Sequence, residues 1–238
     1  MDILLIGYGK MGKTIEEIAL ERGHRIIEKI DVHNQDLLNQ LEVSSIDAAI
    51  EFSQPEAAFE NIKTCIDRGI KIISGTTGWL DKRSMIETLC REKQGTFFYA
   101  SNFSIGVNLF FRLNNFLAEL ITDYGQYGAS LEEIHHTEKK DAPSGTAITL
   151  AEGIIDHSRR IKKWEKGKSE YPDVLGIESY REGKVPGTHV VRYKSGVDQI
   201  EIRHEAFSRK GFALGAVLVA EWIGNHSGML TMDDFLGF

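Results

Sequence analysis

Over residues 1–100 the hydrophobic pattern switches between two periods. Short apolar runs at 3–6, 25–31, 47–52, 70–74 and 96–100 read as strands, being brief and rich in β-branched or aromatic residues. Between them, apolar positions fall three and four apart. Met11, Ile15, Ile18 and Ala19 form one helical face, and Ala58, Ile62, Cys65 and Ile66 form another. Pro55 suits the first turn of the second helix, and Asp81 is placed to cap a third through Met85, Ile86 and Leu89. Strands joined by single helices lie parallel with right-handed crossovers, which predicts a doubly wound α/β sheet.

The pattern changes after residue 105. Leu109, Phe110, Leu113, Leu117, Leu120 and Ile121 describe a longer amphipathic helix. A strand over 130–134 precedes a histidine-containing run, and Ala147, Leu150, Ala151, Ile154 and Ile155 mark a helix opening at Ser144. Residues 159–173 are polar and without period, and read as a loop or lid. Runs at 189–193 and 199–204 alternate around Lys194-Ser195-Gly196-Val197-Asp198, the pattern of an antiparallel hairpin. A last helix carries Leu214, Val217 and Leu218. The second region is therefore expected to be α+β with an antiparallel or mixed sheet, and a sheet this small calls for cover from another subunit.

Composition narrows the chemistry. The 238 residues carry a formal charge of −7, with 42% hydrophobic and 26% charged residues, which gives no basic surface for nucleic acid or anionic membrane. An anionic ligand must be held by local positive groups. The 2 cysteines, Cys65 and Cys90, sit at apolar helical positions without CxxC spacing, and read as reduced, packed thiols of a cytoplasmic protein. The chain enters a strand without a charged leader and has no apolar run long enough to span a bilayer, so no membrane association is expected.

Gly7-Tyr8-Gly9-Lys10-Met11-Gly12 follows an apolar strand and opens a helix. In that context the glycines serve a tight turn, backbone approach to a pyrophosphate, and close helix packing. Asp31 ends the second strand where an acid would bind adenosine ribose hydroxyls. A carboxylate there favours NADH over NADPH, while Lys10 and Lys29 offer charge that could soften the repulsion of a 2′-phosphate, which leaves NADPH open. Gly75-Thr76-Thr77-Gly78, Phe52 and Ser101-Asn102-Phe103 stand at carboxyl ends of other strands and are expected to line the nicotinamide side. A tight turn that binds no nucleotide is the plain alternative.

The run His135-His136-Thr137-Glu138-Lys139-Lys140-Asp141-Ala142-Pro143-Ser144-Gly145-Thr146-Ala147 gathers imidazoles, ammonium groups and a helix opening. Singly, each feature is ordinary turn or surface chemistry. Together they can grip a small carboxylate and pass it a proton. No cysteine or third clustered histidine completes a metal site, so no metal is expected.

This run resembles the signature of the dihydrodipicolinate reductase family. The likeness extends to the glycine turn, to Gly75-Thr76-Thr77-Gly78, to 102–108, to Gly187-Thr188-His189 and to Phe207-Ser208-Arg209. The chain departs from the family pattern at Ser130 and Leu131, where Glu and then Ile or Val are usual. Leu131 keeps the strand apolar, whereas Ser130 lacks the carboxylate.

The resemblance implies a Rossmann-type dinucleotide-binding domain over 1–105 and 208–238, with a substrate and oligomerisation domain over 106–207. It implies reduction of 4-hydroxy-tetrahydrodipicolinate with NADH or NADPH, and a homotetramer. His135 would be the general acid, because histidine titrates near neutrality, and Lys139 would supply positive charge. His136, Ser144, Gly145 and Thr146 would hold the dicarboxylate substrate, while His189 is assigned to structure or a subunit interface. A related dehydrogenase of another small amino or keto acid, and a non-catalytic dinucleotide sensor, remain open at this point.

Overall fold

Strand β1 (Asp2–Ile6) is apolar on both faces. Ile3 and Leu5 enter one hydrophobic cluster, Leu4 and Ile6 another, as befits a strand covered on both sides in a parallel sheet. The structure, a computed structural model, describes residues 1–238. It continues with α1 (Lys10–Glu21), β2 (Arg25–Ile30), β3 (Ala48–Glu51), α2 (Pro55–Asp67), β4 (Ile72–Ser74), α3 (Arg83–Glu92) and β5 (Thr96–Tyr99). Next come α4 (Ile105–Ile121), β6 (Gly128–His135), α5 (Gly145–His157), β7 (Lys163–Lys166), β8 (Val174–Arg181), β9 (Gly187–Lys194) and β10 (Gln199–Ala206). The chain closes with α6 (Lys210–Ile223), β11 (Gly228–Leu230) and α7 (Met232–Leu236). Two units result, residues 1–105 with 210–238, and residues 106–209.

The first unit holds a sheet of order β11-β5-β4-β3-β1-β2 in which every neighbouring pair is parallel. The chain runs outward from β1 to β2 and returns to β3 on the other side of β1. The strand order reverses there, and such a switch point opens a crevice at the carboxyl ends of the strands. Helices α1 and α6 cover one face and α2 and α3 the other. Pro55 begins α2 as expected. Asp81 does not cap α3. It lies inside a 3-10 turn, Leu80–Lys82, and Lys82 precedes the helix without a side-chain cap. The reason is Trp79 just before it, buried against Phe97 and Tyr99 with its indole N–H bonded to the Thr76 carbonyl. Both cysteines are packed, and burial pushes the Cys65 thiol up to about 12.

The second unit holds a mixed sheet of order β10-β9-β6-β8-β7. Strand β9 is antiparallel to β6 and β10, whereas β8 is parallel to β6 and β7. The expected hairpin of β9 and β10 is present, but β7 lies within the segment anticipated as a loop or lid. Its Lys-Trp-Glu-Lys sequence is that of an edge strand, where charge protects unpaired backbone and erases the apolar period. Ala147, Leu150, Ala151 and Ile154 of α5 pack with Leu131, Ile177 and Val191 of the sheet. No helix is long and apolar enough to cross a membrane.

Helix α6 passes the chain at Phe103 so closely that a Cβ on Gly215 would lie 1.8 Å from the Phe103 carbonyl oxygen. Alanine favours helix by about 1 kcal/mol over glycine, yet Gly215→Ala is expected to lower unfolding free energy by about 1–3 kcal/mol through overpacking. Urea denaturation measures the difference, and a midpoint unmoved or raised would contradict this packing.

Candidate active site

The glycine turn divides its labour residue by residue. Gly7 has φ +92, and a Cβ there would lie 2.1 Å from the Phe52 carbonyl oxygen, so it carries both the turn and the contact with β3. A Cβ on Gly12 would lie 2.2 Å from the Gly7 oxygen, which sets α1 against the turn. Gly9 differs. Nothing lies within 4 Å of its would-be Cβ, and it precedes α1 without a side-chain cap. The backbone there is open, and the amides of an uncapped first helical turn face an anion favourably.

Two adjoining cavities follow the carboxyl ends of the strands. One, of about 340 Å³, is bordered by Gly7, Gly9, Asp31, Val32 and Phe52. The other, of about 320 Å³, is bordered by Gly9, Lys10, Met11, Phe52, Gly75, Thr76 and Thr77. The Phe52 ring rests on Gly75, where a Cβ would lie 2.2 Å from it. Asp31 is exposed at the end of β2. Lys29, expected to be available to a 2′-phosphate, is instead engaged: its ammonium lies 2.7 Å from Glu16 and 3.3 Å from the Tyr8 hydroxyl. Of the remaining candidates, Phe103 is a core residue, 1% exposed and packed against Phe52 and Phe98. It can act on a ligand only through Phe52. Asn102 accepts the Ser104 N–H at 2.9 Å, and Ser101 is exposed; neither borders the two cavities.

In the second unit, alternation along β6 puts Leu131, Glu133 and His135 on one face. Pairing then selects their neighbours. Antiparallel register sets His189 opposite Glu133, and parallel register sets Arg181 opposite His135. Glu133 is fully buried. Its oxygens accept the Ser144 backbone N–H at 3.1 Å and the Arg181 guanidinium at 3.3 Å. His135 Nδ1 stands 3.3 Å from Oε2, and His189 Nε2 stands 3.8 Å away. Burial by itself would push the Glu133 carboxyl up, but contacts from His135, Ser144 and Ser179 outweigh it and hold the group well below the usual carboxylate range. His189 is the opposite case. Burial, aided by the charge of His135, pushes it down to about 3, so its imidazole is neutral at physiological pH.

The two rings meet edge to face at 5.1 Å, and His189 Nε2 lies 3.1 Å from the Ser144 hydroxyl. His135 Nε2 points away from Glu133 and toward Gly187, where a Cβ would sit 3.0 Å from it. Glu133, His135 and His189 offer ligand atoms within 4.8 Å of one another, a spacing that a cation would accept. However, Glu133 already carries the Ser144 amide and the Arg181 guanidinium, and a positive charge at that distance opposes a second one.

Arg181 also orders the turn that follows β6, donating to the carbonyls of Lys139 at 3.3 Å and Asp141 at 2.6 Å. Lys139 pairs with both Asp141 oxygens at 2.8 Å. That pair is partly exposed, a class worth about 0–1 kcal/mol, so an anion can displace Asp141 at small cost. Ser144 caps α5 by accepting the Ala147 N–H at 3.2 Å. With its own N–H on Glu133 and its hydroxyl on His189, it holds the helix in place, and it is buried rather than open to a ligand. Gly145 is exposed and Thr146 and His136 are half-buried, leaving these three accessible. Glu133 and Arg181 were missed by sequence reasoning, and His189, assigned to structure or an interface, is packed in the cluster. The signal available was strand pairing, which needed β8 to be recognised. Ser130, where the family carboxylate is lacking, faces the opposite side of the sheet, level with Arg192, and does not enter the cluster.

An anion-ready turn at a switch point and a proton-bearing cluster at a strand end place the chain among the NAD(P)H-dependent oxidoreductases. Comparison with known proteins narrows the class. Residues 1–103 match the N-terminus of dihydrodipicolinate reductase and residues 106–236 its C-terminus. A 4-hydroxy-tetrahydrodipicolinate reductase of Christiangramia forsetii is 49% identical over 99% of this chain and 98% of its own. One from Archaeoglobus fulgidus is 31% identical over 96% of each chain. The dipicolinate-bound dihydrodipicolinate reductase of Paenisporosarcina sp. TG-14 superposes with a TM-score of 0.78 at 18% identity, covering 99% of both chains. The chain belongs to the dihydrodipicolinate reductase family.

A histidine buried in its neutral form binds no proton in the folded state between its depressed value and 6.5, whereas the unfolded chain does. Stability is therefore expected to fall as pH drops from 6.5 toward about 3, with His189 adding up to about 1.4 kcal/mol per pH unit. His189→Gln should flatten that part of the profile in chemical denaturation at stepped pH. An equal slope in both proteins would show that His189 is not buried neutral.

Proposed function

We propose that the chain catalyses the NAD(P)H-dependent reduction of 4-hydroxy-tetrahydrodipicolinate to tetrahydrodipicolinate, a step of lysine and diaminopimelate biosynthesis. The observation that carries this is the buried Glu133–His135 pair beside the Ser144-capped N-terminus of α5, in a chain matched throughout by reductases of that substrate. A cytoplasmic homo-oligomer, tetrameric in the family likeness, belongs to the same reading.

Loss of the ring 4-hydroxyl as water leaves a conjugated ene-imine, and the reduced dinucleotide would supply the hydride that adds to its ring carbon. Gly7, Gly9, Lys10, Met11 and Gly12 form the turn that takes its pyrophosphate, while Phe52, Gly75, Thr76 and Thr77 border the nicotinamide-side cavity. The electron-rich enamine left by hydride addition needs a proton, and His135 holds it on Nε2. Glu133 faces the ring on its Nδ1 side at 3.3 Å and sets its orientation. One substrate carboxylate is held by the amides of Gly145 and Thr146 at the start of α5, with His136 adding a hydrogen bond. Lys139 exchanges Asp141 for the substrate anion and stabilises the charge that develops on the ring. Ser144 acts behind this surface, fixing the helix that presents it.

His135→Gln is expected to lower kcat by about 10²–10⁴-fold while leaving the KM for dinucleotide near that of the unaltered protein. The assay generates substrate from aspartate semialdehyde and pyruvate and follows dinucleotide absorbance. Retention of full turnover would remove His135 from the chemistry and favour another dehydrogenase activity.

With Asp31 exposed on the adenosine side and Lys29 neutralised by Glu16, NADH is the preferred cofactor. Its kcat/KM should exceed that for NADPH by about tenfold or more, roughly 1.4 kcal/mol of discrimination, and Asp31→Ser should narrow the ratio. A higher kcat/KM with NADPH would overturn the preference.

A further inference from the structure

The last residue of β3, Glu51, carries a second wholly buried carboxylate, in the first unit. Its hydrogen-bonding partners are all neutral. Oε1 accepts the Ser53 N–H at 3.0 Å, the Ser53 hydroxyl, and the Thr76 hydroxyl at 2.9 Å. Oε2 accepts the Ser74 hydroxyl at 2.5 Å. A carboxylate is an acceptor with about four lone-pair sites, and both oxygens are engaged, Oε1 most heavily. Packing alone does not explain such an arrangement, because an apolar side chain fills a strand end without the desolvation cost of a polar one.

The identity of the donors gives the explanation. Ser53 belongs to the loop after β3, and Thr76 belongs to the loop after β4. Together these loops wall the cavity bordered by Phe52, Gly75 and Thr76. The main chain repeats the link, since the Glu51 carbonyl accepts the Gly75 N–H at 3.0 Å. Ser53 N–H is shared with the Thr76 hydroxyl at 2.9 Å, and Asn61 donates to the Ser53 hydroxyl at 3.2 Å. The carboxylate thus lies behind the wall, outside the lining, and ties its two halves together. We propose that Glu51 is a positioning residue for dinucleotide binding. It sets the spacing of the two loops and keeps the Phe52 ring seated on Gly75. The inference rests on reading this groove as the dinucleotide site.

The test compares Glu51→Ala with Glu51→Gln in the full-length protein by NADH titration, with hydrogen exchange at the amides of Ser53 and Gly75. The glutamine carbonyl can keep Ser53 and Thr76, and its amide can donate to the Ser74 hydroxyl, so Glu51→Gln should bind NADH within about threefold of the unaltered protein. Glu51→Ala releases both loops and is expected to weaken NADH binding by about tenfold, with faster exchange at both amides. A Glu51→Ala protein that melts earlier yet binds NADH normally overturns the proposal, since burial alone would then be the role. If Glu51→Ala does not fold, Ser74→Ala, which frees one carboxylate oxygen, should weaken NADH binding by about threefold. Normal binding and exchange in that variant overturn the proposal equally. An unaltered protein that binds neither NADH nor NADPH overturns the groove assignment and this proposal with it. Normal binding with an indifferent Glu51→Ala overturns the proposal alone.

Discussion

An ionised carboxylate leaves water only if the protein replaces the hydrogen bonds that water gave it, and Glu133 imposes that condition on the second unit. The replacement donors come from separate places, the first amide of the α5 cap and the guanidinium at the end of β8, with the imidazole two residues further along β6 at ion-pair distance. Each is therefore fixed in space by the same acceptor. Because Ser144 is bound to Glu133, α5 starts where it does, and the amides of Gly145 and Thr146 are presented beside His135. Because Arg181 is bound there too, it holds the carbonyls of Lys139 and Asp141 and shapes the turn between β6 and α5. His135, the Lys139 turn and the start of α5 are thus placed around one buried carboxylate.

The first unit obeys a different constraint, the close approach of backbone at the β1/β3 switch point. Gly7 and Gly12 are required by contacts that leave no room for a methyl group, and Gly75 gives up its side chain to seat an aromatic ring. Gly9 alone of the turn is surrounded by space. Steric necessity and ligand access are thus separated within a few residues, and a uniform glycine motif conceals two kinds of demand.

The sequence made the architecture of the first unit legible because strand and helix alternate there with distinct periods, and because Pro55 and the glycine turn punctuate them. His135, Lys139 and the α5 opening were legible through their proximity in the chain. What was hidden depends on pairing between distant segments. Arg181 and His189 enter the cluster only through registers of β8 and β9 on β6, and β8 carries no clean alternation to announce itself. Phe103 was placed at a ligand by position along its strand, whereas the close passage of α6 at Gly215 belongs to a buried chain path. The polar edge strand β7 was unreadable for a related reason, since its charges answer to solvent and not to a core. Ser130 shows the converse: a departure from a family pattern, visible in sequence, falls on the sheet face away from the chemistry.

The pairing of β6 with both β8 and β9 also fixes when the chemical apparatus can come into being. Its carboxylate lies on β6, 48 residues before the guanidinium on β8 and further still from the inner imidazole on β9, and contacts of long sequence separation form late because loop closure opposes them. A partly assembled sheet leaves Glu133 and His189 hydrated, each carrying the charge state that water dictates. Docking of the last strand must expel that water and neutralise the histidine in one event. Completion of the sheet and burial of this charge cluster are then linked.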